Sequence, residues 1–157
     1  MLFRAATADD LPAIVALLMH DELGKLREDL GTPVNPRYLE AFAAIARDPN
    51  QLLAVADQDG LVVGCLQLTF IPGLSRLGMW RGQVEAVRVA ATQRGGGVGR
   101  TMMLWAIEEC RARGCGLVQL TTDKRRADAH RFYARLGFEA SHEGMKLPLP
   151  RNPRSDS

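Results

Sequence analysis

Hydrophobic positions follow two different periods along the chain. Leu11, Ile14, Val15 and Leu18 recur at i, i+3, i+4 and i+7, which predicts a helix. Thr7-Ala8-Asp9-Asp10 supplies caps and acidic residues at its start, and Pro12 fits a first turn. A short strand, Leu2 to Ala6, precedes it. Residues 20–34 are charged and interrupted by Gly24, Gly31 and Pro33, the pattern of a loop or broken helix. Asn35-Pro36 reads as a cap followed by proline at the first helical position. The helix it opens has Leu39, Phe42, Ala43 and Ala46 as its expected buried face and ends at Asp48-Pro49-Asn50. The period then shortens. Leu52 to Ala56 and Leu61 to Phe70, joined by Asp57-Gln58-Asp59-Gly60, predict a hairpin. Residues 71–82, with Pro72, Gly73, Gly78 and Gly82, read as an irregular connector. Val84 to Val89 is a further strand, whose apolar Val84, Ala86, Val87 and Val89 break strict alternation and allow a bulge.

The helical period returns after a glycine-rich segment, Arg94-Gly95-Gly96-Gly97-Val98-Gly99. Val98, Met102, Met103, Ala106, Ile107 and Cys110 form a broad apolar side as far as about Arg113, opposite Arg100, Glu108 and Arg111. Gly114 and Gly116 flank its end. A buried strand starts at Gly116 and runs to Leu120. Ala129, Phe132, Tyr133 and Leu136 make a last helical stripe, closed by Gly137. Phe138 to Leu147 is expected to return as a final strand or hairpin. The order β, α, α, β, β, β, glycine loop, α, β, α, β combines an antiparallel meander with a βαβ unit. It predicts an α/β (α+β) fold with a mixed, mostly antiparallel central sheet flanked by helices. Residues 1–147 are expected to form one domain and 148–157 a flexible tail.

Composition narrows the function. The chain of 157 residues suits one domain, and 20 basic against 18 acidic residues leave a net charge of only +2. That balance offers no broad field for nucleic acid or an anionic membrane. No apolar run is long enough to span a bilayer, and Met1-Leu2-Phe3-Arg4 lacks the features of a signal peptide. Three cysteines, Cys65, Cys110 and Cys115, argue against a disulfide scaffold, so a reduced, cytoplasmic protein is expected. None of the three has an identifiable base beside it, so packing is their expected role. His20, His130 and His142 lack metal-ligand spacing, and no metal is expected.

The glycine-rich segment carries the candidate chemistry. A helix N-terminus presents free N–H groups and partial positive charge to phosphate, and glycines let the anion approach them. A Walker A loop is excluded because Gly99-Arg100-Thr101 lacks its lysine, and a Rossmann fingerprint because Arg100 stands where it needs glycine. What remains is R-x-x-G-x-G at Arg94, Gly97 and Gly99. It follows Val84-Glu85-Ala86-Val87-Arg88-Val89 and precedes, at a distance, Phe132-Tyr133-Ala134-Arg135-Leu136-Gly137-Phe138. In this order the elements resemble the GNAT superfamily of N-acetyltransferases, from the first strand to about Leu147.

The resemblance implies direct transfer of acetyl from acetyl-coenzyme A to a primary amine in a ternary complex, on a sheet with splayed central strands. It implies that Arg94, Gly95, Gly96, Gly97, Val98, Gly99, Arg100 and Thr101 hold the pyrophosphate and that Val87, Arg88 and Val89 pair with the pantetheine arm. Tyr133 matches the tyrosine placed near the thioester sulfur, as a proton donor to the leaving thiolate; its alternative is a core aromatic. Arg126 departs from the asparagine frequent in the family seven residues earlier. Glu85, an acid within an apolar strand, is a candidate base or else a solvated carboxylate. Gln83 shares its face, where some relatives carry the acid instead. The run Lys124-Arg125-Arg126 reads as a 3′-phosphate contact or a solvated helix entry. The acceptor, a small molecule or a peptide, is expected between residues 20–40 and the connector. There Met79 and Trp80 offer an apolar wall, and Asp21, Glu22, Glu28 and Asp29 attraction for a cationic amine, with Lys25 and Arg27 lying among them. No nucleic-acid or membrane partner is expected, and homodimers, common among relatives, stay open. A non-catalytic acyl-coenzyme A sensor is the competing reading.

Overall fold

The computed structural model describes residues 1–150, with Glu22 described by its backbone only. Residues 151–157 of the expected tail lie outside the described residues. The chain forms two compact units, Met1–Leu120 and Thr121–Ser157.

The first unit is built on a five-stranded sheet in the order β1 (Leu2–Ala5), β2 (Gln51–Gln58), β3 (Leu61–Ile71), β4 (Trp80–Val89), β5 (Cys115–Leu120). The first three pairings are antiparallel and β4–β5 is parallel. The β2–β3 turn has positive φ at Asp59 and Gly60, the backbone that suits a tight hairpin, and Asp57 accepts from the Gly60 N–H at 2.7 Å. A parallel pair needs a crossover, supplied by helix α5 (Val98–Ala112). The other helices of this unit are α1 (Leu11–Met19), α2 (Glu22–Lys25), α3 (Pro36–Arg47) and the single turn α4 (Ser75–Gly78).

Helices cover both faces of β3. Ile14 and Leu17 of α1 pack with Val55 and Cys65 on one face. Leu66, Leu68 and Phe70 are buried on the other, where a Cβ on Gly64 would sit 3.3 Å from the Met102 sulfur of α5. Beside α1, the buried Asp10 carboxylate is forked by Arg4 at 2.7 and 3.1 Å and also accepts from the Thr7 N–H. These bonds hold the carboxyl below its ordinary range.

Two expectations change in this unit. The connector 71–82 is shorter, because β4 begins at Trp80. Its Gly82 belongs to the sheet, and a Cβ there would meet the Cys110 Sγ at 2.3 Å. Cys110 is buried, so the glycine is required by close helix–sheet approach. Gly82→Ala should destabilise the fold by about 1–3 kcal/mol, the range for overpacking. A thermal melt unchanged from wild type would show that Cys110 swings aside freely. The second change concerns α3. Asn35 caps it and Pro36 follows, as expected, but none of its residues is fully buried. Phe42 and Ile45 are half-buried, near Leu52 and Leu53, while Ala43 and Ala46, expected on the buried face, are exposed and Leu39 is 46% exposed. The helix leans on the β1–β2 side of the sheet, which offers it a narrow apolar strip.

The second unit contains α6 (Ala127–Arg135). Its C-terminus is a double cap: the Phe138 N–H donates to the Tyr133 carbonyl at 3.1 Å and the Gly137 N–H to the Ala134 carbonyl at 3.0 Å. Gly137 takes φ +97, which closes the motif. The expected strand or hairpin over Phe138–Leu147 is absent from the described residues; this segment is irregular.

Candidate active site

The expected bulge in β4 is present. Gln67 faces Glu85 and Cys65 faces Arg88, so two residues of β4, Ala86 and Val87, stand opposite one of β3. Ala86 takes φ +55, a left-handed backbone unusual for a residue with a side chain. The bulge shifts the alternation by one residue. Arg88, not Val87, returns to the face of Glu85, and β4 presents Arg81, Gln83, Glu85 and Arg88 on one side. Glu85 is exposed and accepts from the Gln83 amide at 3.4 Å. Arg88 is half-buried, pairs with Asp21 at 3.5 Å and donates to the Val87 carbonyl at 2.9 Å.

β5 pairs with β4 only from Trp80 to Val84. Beyond that point Glu85–Val89 has no strand partner on its β5 side among the described residues. A backbone edge thus stands open where the candidate pantetheine contacts Val87, Arg88 and Val89 lie.

The strand runs through Ala91–Gln93 into the glycine loop. Gly95 and Gly97 both take φ +82, and Gly97 caps α5. A Cβ on either would project into open space, so the backbone conformation selects glycine here, not crowding. The carbonyl of Gly97 accepts from both the N–H and the hydroxyl of Thr101 at 3.0 Å. Helix geometry therefore leaves the N–H groups of Val98, Gly99 and Arg100 without intrahelical partners. Arg94, Gly95, Gly96, Arg100 and Thr101 are exposed around them. This cradle fits an anion of pyrophosphate type by its donors and its lack of side-chain obstruction.

In the second unit Tyr133 is half-buried between Phe132 and Phe138, with ring centroids 5.1 and 5.9 Å apart, both edge-on. The Phe138 contact is the apolar half of the α6 cap. Arg125 is clasped by Asp123 at 2.8 and 2.9 Å, which holds that carboxyl well below its usual range and favours a helix-entry role for the basic run.

Several residues expected near the acceptor have local hydrogen-bond partners. Asp21 caps α2 through the Gly24 N–H at 2.6 Å. The Tyr38 hydroxyl accepts from the Asp29 N–H at 2.9 Å and donates to Glu28 at 3.3 Å, and Asn35 donates to Asp29. Met79 is half-buried with its side chain against Gly116 of β5, and Trp80 is 37% exposed. Burial pushes the Cys65 thiol up to about 12 and Cys110 to about 11, which suits packing and not nucleophilic attack.

The sequence profile described as the acetyltransferase (GNAT) family matches residues 17–138. The chain belongs to the GNAT family. An aminoalkylphosphonate N-acetyltransferase from Salmonella typhimurium is 35% identical over 139 residues, 88% of this chain and 85% of that protein. A glucosamine 6-phosphate N-acetyltransferase from Trypanosoma brucei brucei is 33% identical over 90 residues, 57% of this chain and 59% of its own. The crystal structure of a transcriptional regulator from Bacillus halodurans C-125 matches with a TM-score of 0.92 at 47% identity, covering 94% of this chain and 99% of that one. The five-stranded mixed sheet flanked by helices is thus a GNAT fold, and acetyl-coenzyme A is the cosubstrate of the family's acetyltransferases. Among the described residues no helix is long and apolar enough to cross a membrane.

Proposed function

We propose that this GNAT protein transfers acetyl from acetyl-coenzyme A directly onto the primary amine of a small acceptor that carries a phosphonate or phosphate. The observation that carries the transferase reading is the pair of left-handed glycines, Gly95 and Gly97, opening α5 with bare N–H groups behind a bulged strand. The loop from Arg94 to Thr101 binds the pyrophosphate, and the open edge of Val87–Val89 pairs with the pantetheine arm. The bound thioester supplies an activated acyl group. A free alkylammonium has a pKa of about 10.4 and cannot attack until it loses a proton. Glu85 takes that proton, through water, and the Tyr133 hydroxyl gives one to the leaving sulfur.

The acceptor class draws support from two sources. The Salmonella and Trypanosoma relatives are both named for amines bearing an anionic phosphorus group. The β4 face reads cation, amide, anion, cation at Arg81, Gln83, Glu85 and Arg88, the complement of a zwitterion. Thiol release with 2-aminoethylphosphonate and glucosamine 6-phosphate should exceed that with ethylamine and glucosamine by about 10-fold or more in kcat/KM, the worth of one charge-assisted hydrogen bond. Equal rates would remove the phosphorus group from the proposal.

A second reading is a non-catalytic acyl-coenzyme A module. It is favoured by the Bacillus protein being named a transcriptional regulator. Acetyl-coenzyme A binding with no thiol release from any amine would select it.

A further inference from the structure

A polar row crosses the sheet face that carries Glu85. Gln51 of β2, Thr69 of β3, Gln83 of β4 and Gln119 of β5 stand opposite one another in register, and Gln67 and Glu85 form the next rung. All of them are half-buried except the exposed Glu85. Their hydrogen bonds fall into two separate chains. On one side Gln67 and Thr69 both donate to the Gln51 Oε1, at 2.9 and 3.0 Å. The Gln67 amide is therefore turned away from Glu85, its direct neighbour. On the other side Gln119 donates its Nε2 to the Gln83 Oε1 at 3.1 Å, and Gln83 donates its Nε2 to the Glu85 Oε1 at 3.4 Å.

The second chain has a direction. A primary amide accepts on one end and donates on the other. Once Gln119 fixes the Gln83 oxygen toward β5, the Gln83 nitrogen must face Glu85. We propose that Gln119 and Gln83 form a two-amide relay that orients the Glu85 carboxylate, leaving its second oxygen for the acceptor amine or its water. The proposal rests on the reading of Glu85 as the base. Gln119 touches neither Glu85 nor the reacting atoms in this scheme; it is a positioning residue. The charged groups nearest in register on the same face are Arg81 and Arg88 of β4, the latter paired with Asp21 from the turn after α1. β3 contributes only neutral Gln67 and Thr69 opposite.

The relay is testable without knowing the natural acceptor. Side-chain NH₂ signals of Gln83 in ¹⁵N-labelled protein should move with pH as the Glu85 carboxylate gains its proton, and Glu85→Gln should abolish that movement. Gln119→Met and Gln119→Val, the latter suited to a strand, should also weaken the Gln83 pH response. They should bring its two proton signals toward those of a free glutamine. With 2-aminoethylphosphonate as the probe amine, kcat should fall about 2- to 10-fold, the effect of one neutral hydrogen bond. KM for acetyl-coenzyme A should hold, and Gln119→Met should add nothing in the Glu85→Gln background. An unchanged Gln83 pH response in whichever Gln119 variant folds would overturn the relay. If instead Glu85→Gln leaves the pH–rate profile as in wild type, the base assignment fails, while the amide coupling stands or falls on its own spectra.

Discussion

Gly97→Val should lose the rise in melting temperature that acetyl-coenzyme A gives the wild-type protein. At a coenzyme concentration about 100 times Kd, mass action stabilises a binding protein by about 2.7 kcal/mol. For a domain of this size that is a shift of roughly 5–10 °C. The variant places a β-branched residue at φ +82, where a side chain costs about 1–2 kcal/mol. Nothing lies within 4 Å of the new Cβ, so the damage does not come from a clash inside the protein. It comes from forcing the cap out of its left-handed turn, which re-aims the N–H groups of Val98, Gly99 and Arg100. Gly114→Val is the matched control: φ is +81, the surroundings are equally open, and the position follows the opposite end of α5. It should lower the melting temperature comparably and keep the coenzyme shift. A full shift in Gly97→Val would relocate the pyrophosphate site.

Tyr133→Phe should keep the fold and coenzyme binding and lose turnover by ~10²-fold, the low end for a positioned general acid. The ring is needed regardless of chemistry, because it packs edge-on with Phe132 and Phe138 at the α6 cap. Phenylalanine preserves those contacts and removes only the hydroxyl. Steady-state thiol release on a responsive amine, with a melting curve as control, separates the two roles. Wild-type turnover in Tyr133→Phe would leave the residue as packing alone.

Elements whose signals are local were legible in the sequence. The apolar stripe from Val98 to Cys110, the turn at Asp57–Gly60 and the Asn35-Pro36 helix start each depend on residues within a few positions of one another. The glycine loop belongs with them, since positive φ is a local demand. Features that depend on a distant partner were not legible. Gly82 reads as loop until Cys110 is seen above it. The alternation of Val84–Val89 signals a bulge but not its consequence, that Arg88 joins the face of Glu85, because register belongs to the pair of strands. Asp21, Glu28 and Asp29 look like free charge until their caps and hydroxyl partners appear. The Phe138–Leu147 segment was expected as a strand or hairpin, and strand formation depends on a pairing partner that local sequence does not reveal. The glutamine row was missed for the same reason: Gln51, Thr69, Gln83 and Gln119 are scattered along the chain and only registration lines them up.

The partial pairing of β4 divides that strand into halves with different exposure to solvent exchange. From Trp80 to Val84 it is bonded to neighbours on both sides, and from Glu85 to Val89 on one side only. Backbone N–H groups bonded on the β3 side exchange with deuterium slowly throughout, at the pace of larger openings. Those of the second half that point away from β3 have no strand acceptor among the described residues and should exchange faster than the bonded set. A single strand thus carries its own internal clock, fast and slow amides alternating only past the bulge. Whatever extended ligand occupies that edge reports itself by slowing the fast set alone.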